Sequence, residues 1–298
     1  MVKNYFSLLK RMVSSIHNTK RNEAKGIYHI KTWKGGRLIK TIGINKVMQV
    51  KELKVTGKID VTDLYFIQHM DNLEVLNLKD AIYLRKKQDE AGKNQLRREI
   101  VKDKKHLKEI WFPSSLKSVP SGLLSNCTEL ERVVLPHTVK TINRHAFTNC
   151  GIKELSIPSS VESIAPNAIS NCANLKRVIV EDSENLLKWE GEQFSNCPML
   201  SEIYMGRNST YDYALTTNVE LKKLTLGHEI RTVNFDIRKI KSLMCLMKHP
   251  PKIVHKISAE NVYIKHNFDQ FWVHPEWSKE KLQKMKQEQE QEQEQEQN

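Results

Sequence analysis

The sequence predicts a solenoid of stacked β-strand coils, each about 23 residues long, and three observations predict it. First, a short signature recurs four times: Leu124-Ser125-Asn126-Cys127, Phe147-Thr148-Asn149-Cys150, Ile169-Ser170-Asn171-Cys172 and Phe194-Ser195-Asn196-Cys197, with cysteines 23, 22 and 25 residues apart. Second, a strand-like frame of apolar residues at positions one, four and six follows each cysteine, beginning at Leu130, Ile152, Leu175 and Leu200. Third, three of the coils continue with a proline and a second apolar pair. These are Pro113 with Leu116 and Val119, Pro136 with Val139 and Ile142, and Pro158 with Val161 and Ile164. One coil cannot bury its apolar face alone, so stacking is what folds it.

From the N-terminus, residues 1–36 read as a basic amphipathic segment or cap. Val2, Phe6, Leu9, Val13 and Ile16 recur at helical spacing, interrupted by Lys10 and Arg11, so no apolar leader core is visible. The solenoid is expected over 37–278. Its strand frame recurs upstream of the signature at Val50, Leu73 and Leu107 and downstream at Leu221, giving eight strands. A ninth is expected through Leu243 and Leu246, and a last one at Val262-Tyr263-Ile264. Between Leu73 and Leu107 the spacing lengthens to 34 residues, and the excess is basic, holding Arg85, Lys86, Lys87, Arg97 and Arg98. An insertion of this kind loops out of one face of an array. The tail, 279–298, is Gln- and Glu-rich and cannot bury apolar area.

Each residue type in the coil has a physical reason. Successive strand side chains alternate, so positions four and six face the core and position five faces away. Proline removes a ladder donor and stops the strand. The residue two before each Asn-Cys pair plugs the core. The asparagines Asn126, Asn149, Asn171 and Asn196 are expected to satisfy backbone groups freed in the turn. Cys127, Cys150, Cys172 and Cys197 are expected as free thiols acting as small apolar side chains. Position three reads Glu109, Arg132, Glu154, Arg177, Glu202, Lys223, alternating in sign, which predicts an ion-pair ladder that fixes the order of the coils. Position five includes Trp111, Val134, Ile179, Tyr204 and Thr225; exposed apolar and aromatic side chains in a row are the candidate partner-binding surface.

The net charge of +13 is concentrated: residues 1–110 hold 25 Lys plus Arg against 12 Asp plus Glu. An anionic partner for that third is one reading, solvated lysines on a cap the plainer one. No run reaches the length of a membrane-spanning helix. No nucleotide-binding glycine loop, zinc-type histidine pair or convergent nucleophile is present, so no catalytic, cofactor or metal site is expected.

With these residues in view, the frame L-x-x-Φ-x-Φ-P-x-x-Φ-x-x-I…Φ-x-N-C resembles the BspA-like leucine-rich repeats, best from Leu107 to Met205 and more loosely over 37–278. The resemblance implies a leucine-rich repeat solenoid with a C-terminal cap from about 261, and protein binding in surface adhesion or host interaction; a non-catalytic monomer without cofactors is expected. It implies a secreted or cell-surface location. The absence of a visible export signal keeps an intracellular scaffold as the alternative, with an anion-binding module through the basic N-terminal third as another.

Overall fold

The structure is a computed structural model and describes residues 20–84, 100–210, 220–233, 237–247, 251–253 and 257–264. The expected Met1–Ile16 amphipathic segment, residues 85–99 of the basic insertion, the cap beyond 264 and the tail lie outside the described residues. In chain order the first elements are β1 (Lys20–Asn22), β2 (Ile27–Thr32), α1 (Leu38–Ile42), β3 (Glu52–Ile59), α2 (Val61–Gln68), β4 (Val75–Asn77) and β5 (Ala81–Tyr83). Then follow β6 (Glu109–Trp111), β7 (Ser118–Val119), β8 (Arg132–Val134), β9 (Thr141–Ile142), β10 (Glu154–Ile157), β11 (Ser163–Ile164), β12 (Arg177–Val180) and β13 (Lys188–Trp189). The last are β14 (Glu202–Arg207), β15 (Leu221–Glu229), β16 (Thr232–Val233), β17 (Ile237–Cys245), β18 (Lys252–Ile253) and β19 (Ile257–Ile264).

The long strands form a parallel ladder, one strand per coil. It runs β2-β3-β4-β6-β8, with β1 antiparallel at the edge, and then β10-β12-β14-β15-β17-β19. The chain is therefore a stack of parallel coils, as the 23-residue period predicts. The second apolar pairs form their own ladder, β7-β9-β11-β13. Each proline ends a strand in a tight turn, with Leu116 N, Val139 N and Val161 N donating to the carbonyls of Pro113, Pro136 and Pro158. The core is one apolar cluster running the length of the stack, and the plugs Leu124, Phe147, Ile169 and Phe194 lie in it.

Three features differ from the sequence reading. The parallel stack already includes β2, inside the segment read as a cap. Tyr28, Ile30 and Thr32 point inward from it, and its partner is β3. The next concerns the ladder, which is interrupted between β8 and β10. Cys127 and Leu130 are three residues apart, but Cys150 and Ile152 only two, so this coil is one residue short. The chain compensates by drawing Gly151 N onto the Cys127 carbonyl at 3.1 Å, where a Cβ would lie 2.1 Å from the Thr128 carbonyl oxygen. Glycine is what permits that approach. Lastly, α2 closes the second coil, capped by a reciprocal pair: Asp60 Oδ1 accepts from Thr62 N and Asp63 N, and Asp60 N donates to Asp63 Oδ2.

Candidate functional site

The stack converts equivalent positions into rows. The position-five row divides at the ladder break into Lys54, Asn77, Trp111, Val134 and, after it, Ser156, Ile179, Tyr204, Thr225, Met244, Tyr263, each in register with the next. Trp111, Val134, Ile179 and Tyr204 are half-buried, where the sequence reading had them exposed. Flanking strands cover each side chain in part, because neighbours in a ladder sit only about 5 Å apart. Thr225 departs further: it is 7% exposed and forms floor between its larger neighbours. Met244 and Tyr263 extend the row beyond the five residues expected. Only Val262-Tyr263-Ile264 signalled this in the sequence, because the β17 frame is broken.

Specific contacts fix the aromatic members. The Arg132 guanidinium lies 5.2 Å from the Trp111 ring centroid, so this arginine stacks on the ring. Tyr204 donates its hydroxyl to Asp182 Oδ2 at 2.6 Å, and Asp182 Oδ1 accepts from His228 N at 3.1 Å. Burial first, then that bond to Asp182, raises the Tyr204 pKa. A Cβ on Gly227 would lie 2.5 Å from Asp182 Oδ1 and 2.7 Å from Tyr204 Oη, so glycine there makes room for the pair. The adjacent Glu181 accepts from Ser159 N at 2.8 Å. Arg207 is fully buried beneath; it donates to the carbonyls of Ser159 at 2.7 Å and Pro158 at 2.9 Å, while its Nε has no partner among the described residues. Glu181 and Asp182 thus order the strand ends.

The position-three charges form a ladder only in part. Arg177 reaches Glu154 at 3.4 Å and Glu202 at 3.8 Å, but Arg132 turns to Trp111. Position two supplies what the sequence reading missed. Glu74 lies between Lys51 at 3.3 Å and Lys108 at 2.7 Å, and Lys153 meets Glu131 at 2.9 Å. The Lys108 hydrogen bond holds the Glu74 carboxyl below its ordinary pKa, as Lys153 does for Glu131. These pairs are solvent-exposed and each contributes at most about 1 kcal/mol, so they set coil order more than stability.

The Asn-Cys rows are structural, by a mechanism different from the expected one. All four asparagines are left-handed, with φ of 54–64°, a conformation asparagine tolerates. Their amides bond to one another, not to turn backbone: Asn149 Nδ2 donates to Asn126 Oδ1 at 2.9 Å, and Asn196 Nδ2 to Asn171 Oδ1 at 2.8 Å. The cysteines are free and buried. Three of them donate back to the preceding coil: Cys127 to the Val101 carbonyl at 3.0 Å, Cys150 to Leu124 at 2.9 Å and Cys172 to Phe147 at 3.0 Å. Burial pushes the Cys127 and Cys245 thiols up to about 12 and Cys150 well above its usual value, so these sulfurs stay protonated and unreactive.

One further signature was hidden. Asp103-Lys104 lies 23 residues before Asn126-Cys127. Asp103 has φ 62° and accepts from Asn126 Nδ2 at 2.6 Å. Lys104 takes the cysteine's place and donates to the preceding coil's carbonyls, Met70 at 2.8 Å and Gln68 at 3.1 Å. Burial lowers its pKa to about 8. It lines a shallow cleft of about 490 Å³ with Gln68, Asp71, Lys102, Asp103 and His106. The cleft's charges are of both signs and it contains no nucleophile–base pair. Among the described residues there is no cluster of three or more metal-ligating side chains, and no helix is long and apolar enough to cross a membrane.

Parallel coils of this length, with an apolar strand frame and an Asn-Cys turn, define a leucine-rich repeat solenoid. Residues 94–222 match the BspA type leucine rich repeat region in six copies. Repeats of this class serve as scaffolds for protein interaction. Two solved structures are similar: a leucine-rich repeat protein from Bacteroides ovatus ATCC 8483 (18% identity, TM-score 0.35) and a leucine rich cell surface protein from Faecalibacterium prausnitzii A2-165 (14% identity, TM-score 0.31). The alignments cover 72% of this chain in both cases, with 59% of the Bacteroides and 76% of the Faecalibacterium chain. No curated protein matches the chain.

Proposed function

We propose that this chain is a non-catalytic scaffold that binds a protein partner on its strand face. The observation carrying this is the row Ile179, Tyr204, Thr225, Met244, Tyr263, which lies in register on one uninterrupted parallel ladder. Half-buried Ile179, Tyr204, Met244 and Tyr263, with Thr225 as floor, offer apolar area over a rigid sheet to a partner at little ordering cost. Trp111 and Val134, across the ladder break, add a second patch. The repeat type favours a role at the cell surface, in adhesion or host contact.

A photo-crosslinking residue in place of Ile179 or Met244, in the native cell, tests the reading. The same discrete protein adduct should form at both, and none at exposed Leu186 on the loop before β13. Equal yields at all three positions, or no adduct on the strand face, would refute it. Labelling of intact cells with an impermeant reagent decides the surface location.

A further inference from the structure

The first coil combines strong positive charge with exposed bulky apolar side chains. Residues 20–50 hold 8 Lys plus Arg and a single acid, Glu23, so more than half of the chain's +13 lies in this coil. That same coil exposes four bulky apolar side chains within 16 residues: Trp33 at 55%, Ile39 at 37%, Ile44 at 64% and Met48 at 47%. The coil's inward residues Leu38, Ile42 and Val47 are buried in the core, so it is apolar on its outside as well. The coil's exposed surface thus presents apolar groups together with Lys34 and Lys40, neither of which has an ion pair among the described residues.

The presentation is built. Buried Asp63 accepts from Gly36 N at 2.7 Å and Leu38 N at 2.9 Å, tying the Trp33–Leu38 loop to α2. A Cβ on Gly35 would lie 2.6 Å from Asp60, so the loop is closely seated there. Arg37 stacks on the Trp33 ring, 5.2 Å from its centroid. An indole and three aliphatic side chains held among cations are what the headgroup boundary of an anionic bilayer accepts. Tryptophan favours that depth, aliphatic groups enter the acyl region, and lysines meet the negative surface.

Charge chooses among occupants. Residues 1–19 contain Lys3, Lys10 and Arg11 and no acid, so that segment repeats the sign of the coil instead of neutralising it. A second copy of the coil would repel in the same way. A nucleic acid would satisfy the lysines but gain nothing from Ile39, Ile44 or Met48, since bases stack on aromatic faces. We infer that the first coil is a peripheral docking surface for anionic phospholipid, with Trp33, Ile39, Ile44 and Met48 as the inserting groups and Lys34, Arg37 and Lys40 as the electrostatic ones. It is independent of the strand-face reading, which concerns other residues.

The test is co-sedimentation of the full chain with phosphatidylcholine vesicles, with and without phosphatidylserine, at rising salt. Binding should require phosphatidylserine and weaken with salt. Lys34→Glu with Lys40→Glu should lower the partition coefficient roughly tenfold or more, since each cation near the surface contributes on the order of 1 kcal/mol and reversal doubles the change. Ile44→Ser with Met48→Ser should weaken vesicle binding while leaving heparin binding intact; both side chains are exposed, and an unchanged melting curve checks the fold. Three outcomes overturn the inference: equal binding with and without phosphatidylserine, no binding at all, or binding that neither variant pair alters. Parallel loss of heparin and vesicle binding only in the lysine pair, with the apolar pair silent, would mean a polyanion site and also overturn it.

Discussion

Cys172 has no exposed surface, and its thiol donates to the Phe147 carbonyl at 3.0 Å. An aspartate there must either carry an unpaired charge in the core or stay protonated. Cys172→Asp should therefore lose about 3 kcal/mol or more near neutral pH. The deficit should shrink in acid as the carboxyl takes up a proton, a trend that urea melts at two pH values would show. Lys104 makes the opposite case. Its pKa is about 8 in the fold, and the free side chain's is about 10.5, so the unfolded chain holds its proton more tightly. Stability from this group therefore rises as pH climbs from about 8 towards 10.5, by at most about 3 kcal/mol for a shift of that size. Lys104→Cys restores the residue of the neighbouring coils, and its thiol can donate to the preceding coil as Cys127 does. That variant should be at least as stable at pH 7 and should lose the rise between pH 8 and 10.5. A rise that survives the substitution would show that another group causes it.

At the scale of the element, the strands were legible because position four and six side chains must be apolar in every coil. The Leu, Val and Ile frame therefore reports register directly, as the Glu154–Arg177–Glu202–Lys223 alignment illustrates. β2 escaped notice because its outward residues Lys31 and His29 read as part of a basic cap, and no Asn-Cys turn precedes it. Asp103-Lys104 escaped for a related reason: both residues of the signature are replaced, although the left-handed turn and the bond back to the preceding coil are kept. The binding row was legible as a position, but its exposure was not, since coverage depends on the size of neighbours on adjacent strands. The one-residue deletion at Cys150-Gly151-Ile152 was visible in the spacing, but its consequence was not. A shortened turn pulls Gly151 against Thr128 and removes the β8–β10 pairing. Gly151→Ala would put a methyl group 2.1 Å from a backbone oxygen that cannot move alone. The expected cost is about 1–3 kcal/mol by overpacking, measured by urea titration. An unchanged midpoint would mean that this turn relaxes freely.

For the whole molecule, stability in a stack is a sum of coil terms and nearest-neighbour interfaces, so a weak interface is a natural place to divide. The β8–β10 joint lacks the long-strand ladder. Across it remain the short β9–β11 pairing, turn backbone bonds such as Phe147 N to the Ala168 carbonyl at 2.8 Å, the apolar core and side-chain bonds such as that between Thr148 Oγ1 and Ser170 Oγ, 3.0 Å apart. Two cooperative blocks follow, β2 to β8 and β10 to β19, coupled less tightly to each other than the coils within each block. The sheet that carries Ile179, Tyr204, Met244 and Tyr263 lies in the second block, and the basic, apolar first coil begins the first. Amide hydrogen exchange at low urea should therefore show two groups of protection separated at residues 135–152. Cys172→Asp should lower protection throughout β10 to β15 while leaving β2 to β4 close to wild type. Loss of protection shared evenly along the stack would mean that the core and the short ladder couple the joint as firmly as any other, and that the missing residue carries no penalty for cooperativity.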